Sequence, residues 1–404
     1  ATMTGLLQAL LVASAAAGRV GILGESGGDI QSCSEVESWT ENFFVGSLLP
    51  DTIPEAVRKI IAKNAWKSSG NDTLAEYRAV GPDCDTRFRD ISFLQTQAIA
   101  AQVGSLANIS NVDAYGGWKF VYGPGCPVGV TVMDALARMQ SAGVTDAFVF
   151  DQDILAYENI QTGVTNKQIR SYLAAHPEWD VTFYSLNGLT GQPGYFELLL
   201  AKLKQQIQFA YPLVPASDLC IVLPSQGVPL TSEAKPGSGV ATLRGVFHDL
   251  LSALPQYNLT LVFNNKGGEG FPPPQNKTAW SEPVDKVKIP EMAAMYSCSH
   301  VMVTPILEWP QVDYDVYVYQ GIGTGDEPGY KTTFENAGKK YRGMPSWDQT
   351  NEDWTGQPPV AAVPSIAPEL PAFVGRLIAD VLSGGAGKYD LTIITGGSVG
   401  ITRT

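Results

Sequence analysis

The feature that most limits what this chain can fold into is an alternation. Short apolar runs with the make-up of buried strands are separated by stretches whose apolar residues recur at helical spacing. RVGILG at 19–24, WKFVYG at 118–123, DAFVFD at 146–151, DLCIVLPS at 218–225, LTLVFNN at 259–265 and HVMVTPIL at 300–307 read as strands. Between them, 54–63 opens on a proline suited to a helix start, and 131–143 closes on a glycine stop. Helices are also predicted over 93–104, 195–210, 242–254 and 370–385. Strands alternating with helices imply an α/β chain whose mainly parallel sheets are covered on both faces. The grammar runs through once and then repeats. It predicts two similar Rossmann-like lobes, residues 1–210 and 211–404, with a cleft between them and the terminal helix free to pack back on the first lobe. The Gly/Pro/Asp-rich span 320–359 has weak periodicity and reads as a long loop of the functional kind.

Charge narrows the partners. A net charge of −13 over 404 residues argues against nucleic acid and anionic membrane surfaces, which both want a basic face. No apolar run reaches the length of a membrane span. The segment GLLQALLVASAAAG at 5–18 has the apolar core and small-residue end of a secretory signal without a preceding basic residue, and its leucines equally suit a buried helix. Asn-x-Ser/Thr triplets at Asn71, Asn108, Asn258 and Asn276 point weakly to the secretory route. The five cysteines show no metal-ligand spacing, and their odd number leaves at least one free thiol; the pairing is not readable. No cofactor is required by anything in the sequence, and dimerisation, possible for such a chain, has no readable signature.

Read in order, the pieces resemble ferrochelatase, which inserts ferrous iron into protoporphyrin. The span 47–85 looks like that family's hydrophobic lip and the turn that follows it. YGPGCPVGVTVMDALARMQSAGVTDAFVF at 122–150 is similar to its Tyr-Gly-x-Pro block, helix and next strand, and YENIQTG at 157–163 to its Tyr-Ser-x-x-Thr-Thr-Gly loop. SQGVP at 225–229 falls where the family has Ser-Ala-His-Gly-Val-Pro. FNNKGGEGFPPPQNKTAW at 263–280, TPILEWPQVDYDVYVYQ at 304–320 and VPSIAPELPAFVGRLIADVL at 363–382 follow in the family's order. The resemblance implies the two-lobed chelatase fold, with Tyr122 and Tyr157 at ring-contacting positions, Trp280 and Trp309 as apolar wall, and Lys266 after the strand at 259–265.

The chain departs from that family at the chemistry. The histidine position is Gln226, which can orient a ligand but cannot take a proton. The partner glutamate falls at Tyr314, or at Asp313 or Asp315 in a register one residue off, and a second histidine position is Val312. Three histidines stand elsewhere, at His176, His248 and His300, and replace neither. The resemblance places Glu308, Asp313 and Tyr314 in the cleft as the available acid–base groups. Asp151 and Asp153, two apart at a strand end, are weak candidates for a hard metal ion or a shared proton. The favoured expectation is an enzyme on the chelatase scaffold doing acid–base chemistry on an apolar aromatic or polycyclic small molecule, with Gln226 orienting it. A divergent metal chelatase and a silent tetrapyrrole-binding protein are the alternatives.

Overall fold

The structure, a computed structural model, describes residues 18–49, 52–80, 83–152, 162–225, 227, 230, 239–263, 279–305, 329–344, 368–396 and 401–403. Two sheets organise it. In the first, β1 (Arg19–Ser26) lies between β2 (Val112–Trp118) and β3 (Val144–Asp151), and β4 (Thr182–Leu186) follows β3, all parallel. In the second, β5 (Leu219–Ser225) lies between β6 (Asn258–Phe263) and β7 (His300–Val303), with β8 (Lys340–Gly343) outside β7, again all parallel. Written from the outside in, the two orders are β4-β3-β1-β2 and β8-β7-β5-β6. They are the same winding used twice, and the chain is an α/β protein of two Rossmann-like lobes.

The helices cover the faces that strand alternation makes apolar. On one face of the first sheet, Leu23 and Val149 pack with Leu136 and Met139 of α4 (Val132–Ser141) and Ile169 of α5 (Thr162–Ala175). On the other face, Ile22 and Phe148 pack with Ile99 and Val103 of α3 (Phe88–Ala107) and Leu199 and Leu203 of α6 (Tyr195–Ala210). That second cluster does not stop at the lobe. It runs on through Leu219, Ile221 and Leu223 of β5 to Leu243 and Leu250 of α7 (Gly239–Ala253), so both sheets share one core. The far face of the second sheet packs separately, Val222 meeting Met292 of α8 (Asp285–Met295) and Phe334 of α9 (Tyr330–Asn336).

The end of the chain returns to the first lobe. Helix α10 (Glu369–Asp380) seats on α3 so closely that a Cβ on Gly375 would lie 2.6 Å from Gln102 Cβ. Strand β9 (Leu391–Thr395) then pairs antiparallel with β4, and β10 (Ile401–Arg403) pairs with β9. Two further helices lie between β1 and α3, namely α1 (Val36–Phe43), which continues as a single π turn to Leu48, and α2 (Glu55–Val80). The disulfide Cys33–Cys84 brackets both, and Cys220–Cys298 joins β5 to the turn before β7; Cys126 is free. No helix among the described residues is long and apolar enough to cross a membrane.

Several expectations need correcting. The strand placed at 118–123 is Val112–Trp118. Its glycines look like loop, but they are what lets the strand sit under its neighbours: a Cβ on Gly117 would stand 3.0 Å from Val132 Cα and 3.2 Å from Leu23. The span 320–359 is not all loop, since it holds α9 and the edge strand β8. Helices α1, α5 and α8 and strands β4, β9 and β10 have no counterpart among the predicted elements. The segment 5–18 lies outside the described residues except for Gly18.

Candidate active site

Strand order decides where an open parallel sheet can bind. Where the order reverses, the loops leaving adjacent strands go to opposite faces and leave a crevice at the strands' carboxyl ends. Here that happens between β1 and β3, and again between β5 and β7.

The first crevice is polar and buried. Glu25 and Asp151 sit opposite each other in the β1–β3 register, on the face that carries Leu23 and Val149. Lys119, one residue past β2, reaches between them, with Nζ 2.8 Å from Glu25 Oε2 and 3.2 Å from Asp151 Oδ2. All three side chains are fully buried. The backbone fixes them, since Lys119 N donates to Ser26 O at 3.0 Å and Gln152 N donates to Glu25 O at 2.9 Å. Burial, and then the neighbouring charge of Asp151, raise the Glu25 carboxyl well above the usual range, against the pull of Lys119. Two carboxyls sharing one ammonium in a dry site hold a proton on one of them, and Glu25 carries it. A proton held on Glu25 can be given up to a ligand, and the carboxylate left behind is held by Lys119.

On the opposite face of the same crevice stands a neutral wall. A Cβ on Gly24 would fall 1.9 Å from Thr96 Oγ1, so the first half of α3 lies directly on the end of β1. There Thr96 Oγ1 donates to Ser92 O at 2.8 Å, and Gln152 Nε2 donates to the same carbonyl at 2.6 Å and to Gln95 Oε1 at 3.3 Å.

Beyond β1 and β2 the site turns aromatic. Trp39 and Phe43 stack at 5.3 Å between centroids, and Phe120 meets both edge-on at 6.4 and 5.4 Å. Trp39 Nε1 donates to Gly27 O at 3.1 Å, and Asn42 Nδ2 donates to Phe120 O at 2.9 Å, which ties α1 to the two loops. Gly28 makes the approach possible: its φ is +83°, and a Cβ would lie 2.4 Å from Trp118 Cβ. Next to it, Asp29 accepts from Tyr77 Oη at 2.8 Å, and burial pushes its carboxyl up to about 6. Arg89 pairs with Glu35 in the same buried layer.

Of the residues predicted from sequence, Asp151 is in the crevice, but its carboxylate is engaged by Lys119. Tyr122 lies just beyond the aromatic layer and is half exposed. Trp280 is buried, next to Ala279, whose carbonyl accepts from Leu230 N beyond β5. Gln226, Tyr314, Asp313, Glu308, Tyr157, Trp309, Lys266 and Asp153 lie outside the described residues. Among the described residues, no group of three or more His, Cys, Asp or Glu side chains could hold a metal ion. Sequence reading missed Glu25 and Lys119, although both carried a signal. Each is a lone charge inside an apolar stretch, GILGES and GWKFVY, and a charge so placed has to be paired.

No family model matches this chain, and no curated protein matches it either.

Proposed function

We propose that this protein is an enzyme on a ferrochelatase-like scaffold that carries out proton transfer on an apolar, aromatic or polycyclic small molecule, in place of metal insertion. The observation that carries the proposal is the buried Glu25–Lys119–Asp151 cluster at the point where the strand order reverses. Buried ion clusters rarely repay their desolvation in stability, so one at a ligand-binding crevice is better accounted for by chemistry. The aromatic layer of Trp39, Phe43 and Phe120 beside it suits a flat apolar ligand.

In this reading protonated Glu25 delivers its proton to the substrate as negative charge develops there. The resulting carboxylate shares Lys119 with Asp151 until a proton taken from the substrate restores it, which is lyase or isomerase chemistry. Gln226, which directly follows β5, orients the substrate from the second lobe, with Glu308, Asp313 and Tyr314 following β7 as further acid–base groups. The two disulfides and the exposed sequon residues Asn71, Asn108 and Asn258 support a secretory-pathway location.

The test uses a panel of protoporphyrin, coproporphyrin and smaller fused-ring aromatics, with binding read by tryptophan quenching and the Soret band. Bound ligands are then incubated in D2O and in the presence of Zn2+. Wild type and Glu25→Gln should bind alike, while deuterium incorporation into the ligand falls at least about 100-fold in the variant. Zinc porphyrin formation at equal rates in both proteins would overturn the proposal in favour of a chelatase. Binding without any exchange or turnover would make the protein a carrier.

A further inference from the structure

The neutral wall of the crevice contains a hydrogen-bonding position that the protein itself leaves unused. Gln152 is fully buried at the carboxyl end of β3. The orientation of its amide is fixed, because the neighbour at 2.6 Å is the Ser92 carbonyl, which only accepts, so the nitrogen must face it. The amide oxygen is thereby turned away, and among the described residues nothing donates to it. Ser92 is in the same state. Its carbonyl accepts from both Thr96 and Gln152, while its own hydroxyl, also fully buried, has no partner among the described residues. Other buried hydroxyls among the described residues are unpaired too, such as Thr40 and Ser185, but this pair stands at the carboxyl end of β3, where the strand order reverses and a ligand can supply the missing partner. The chemistry of the pair is specific: Gln152 Oε1 can only accept, and Ser92 Oγ can accept or donate.

We infer that Gln152 and Ser92 form a subsite for a hydroxyl group carried on the aromatic ring of the substrate, the ligand donating to Gln152 Oε1 and accepting from Ser92 Oγ. The inference rests on the proposed function, since it assigns a substituent to the same ligand. Gln152 and Ser92 act as binding residues and take no proton.

A matched pair of probes separates the inference from the reading beneath it. 2-Naphthol and 2-methylnaphthalene differ only in the exchange of hydroxyl for methyl. Wild type should bind 2-naphthol about 10- to 100-fold more tightly, the effect of leaving buried polar groups unpaired. Gln152→Met, similar in volume but without the acceptor, should reduce that preference to less than about 3-fold. Ser92→Ala, a smaller change should the first variant fold poorly, should reduce it about 5-fold. Equal binding of both probes by wild type overturns the inference and leaves the aromatic-ligand reading standing, as does a preference that survives both substitutions. Failure of both probes to bind at millimolar concentration overturns the aromatic reading, and the inference falls with it.

Discussion

Single buried charges are where this chain departs most from an ordinary α/β core, and each has a pH consequence. Asp29 illustrates it. Its carboxyl ordinarily titrates near 3.8 and is raised to about 6 by burial, which outweighs the hydrogen bond from Tyr77 and the nearby Arg89, itself paired with Glu35. Because the folded-state value is the higher one, the folded protein holds the proton more tightly than the unfolded chain. The associated stability is fully present below pH 3.8 and is lost as pH rises through 6. A shift of that size corresponds to about 3 kcal/mol. Asp29→Asn, which keeps the acceptor for Tyr77, should therefore lose about 3 kcal/mol of the pH dependence that wild type shows in urea unfolding across that range. Parallel stability curves for the two proteins would show that Asp29 ionises freely. Glu25 has the same sign, but Lys119 opposes it, so the cluster keeps one carboxylate charged to balance its ammonium.

At the level of elements, the α1–α2 region is held mainly by a small cluster of its own. Ile30, Val36, Tyr77 and Cys84 pack with Trp39 and Trp66, and the Cys33–Cys84 bond closes the loop that contains both helices. The sequence separation of 51 makes that bond worth about 4 kcal/mol in the chain-entropy account. Replacing both cysteines by serine should speed amide exchange in α1 and α2 while β1, β3 and β5 keep their protection. Loss of protection throughout the molecule would mean that the region is part of the main cooperative unit. The elements also show what a sequence discloses. Strands β1 and β5 and helix α6 are legible because their apolar residues are continuous or periodic and nothing competes with the signal. Helix α4 is legible to its ends, with a capping box at Thr131 and Asp134 and Gly143 in the left-handed region after it. β2 is misplaced by its pattern because its glycines answer to packing by Val132 and Leu23, contacts that no local pattern reveals. β8, an edge strand, and β9, which lies between β4 and β10, have four and five residues, too few to show alternation. The site divides in the same way: Asp151 can be picked out as an acid at a strand end, whereas its pairing with Lys119, 32 residues earlier, depends on the strand order.

For the whole molecule, the decisive fact is that the core between the sheets is not divided at the lobe boundary. Ile22 and Phe148 of one lobe belong to the same cluster as Ile221 and Leu223 of the other, and the layer between is filled by α3, α6, α7 and α10. Polar ties cross it too. Thr304 Oγ1, just past β7, donates to Gln206 Oε1 of α6, and Arg342 Nη1 of β8 donates to Ala210 O at the end of α6 at 3.3 Å. Two lobes joined by a hinge would melt in two steps. This arrangement should give one, with calorimetric and van't Hoff enthalpies equal within error. Two resolved transitions in scanning calorimetry would show that the shared layer parts before either sheet does.

The closing of the first sheet by β9 and β10 has a bearing on how the protein is made. A ribosome adds residues in order, and β4 is complete at Leu186, while its outer partner begins only at Leu391. For the whole time that the second lobe is being synthesised, the first has an unpaired edge at β4, a template for pairing with any other nascent strand. The lobe that is translated first is thus the one finished last, and its need for chaperone protection is written into the strand order.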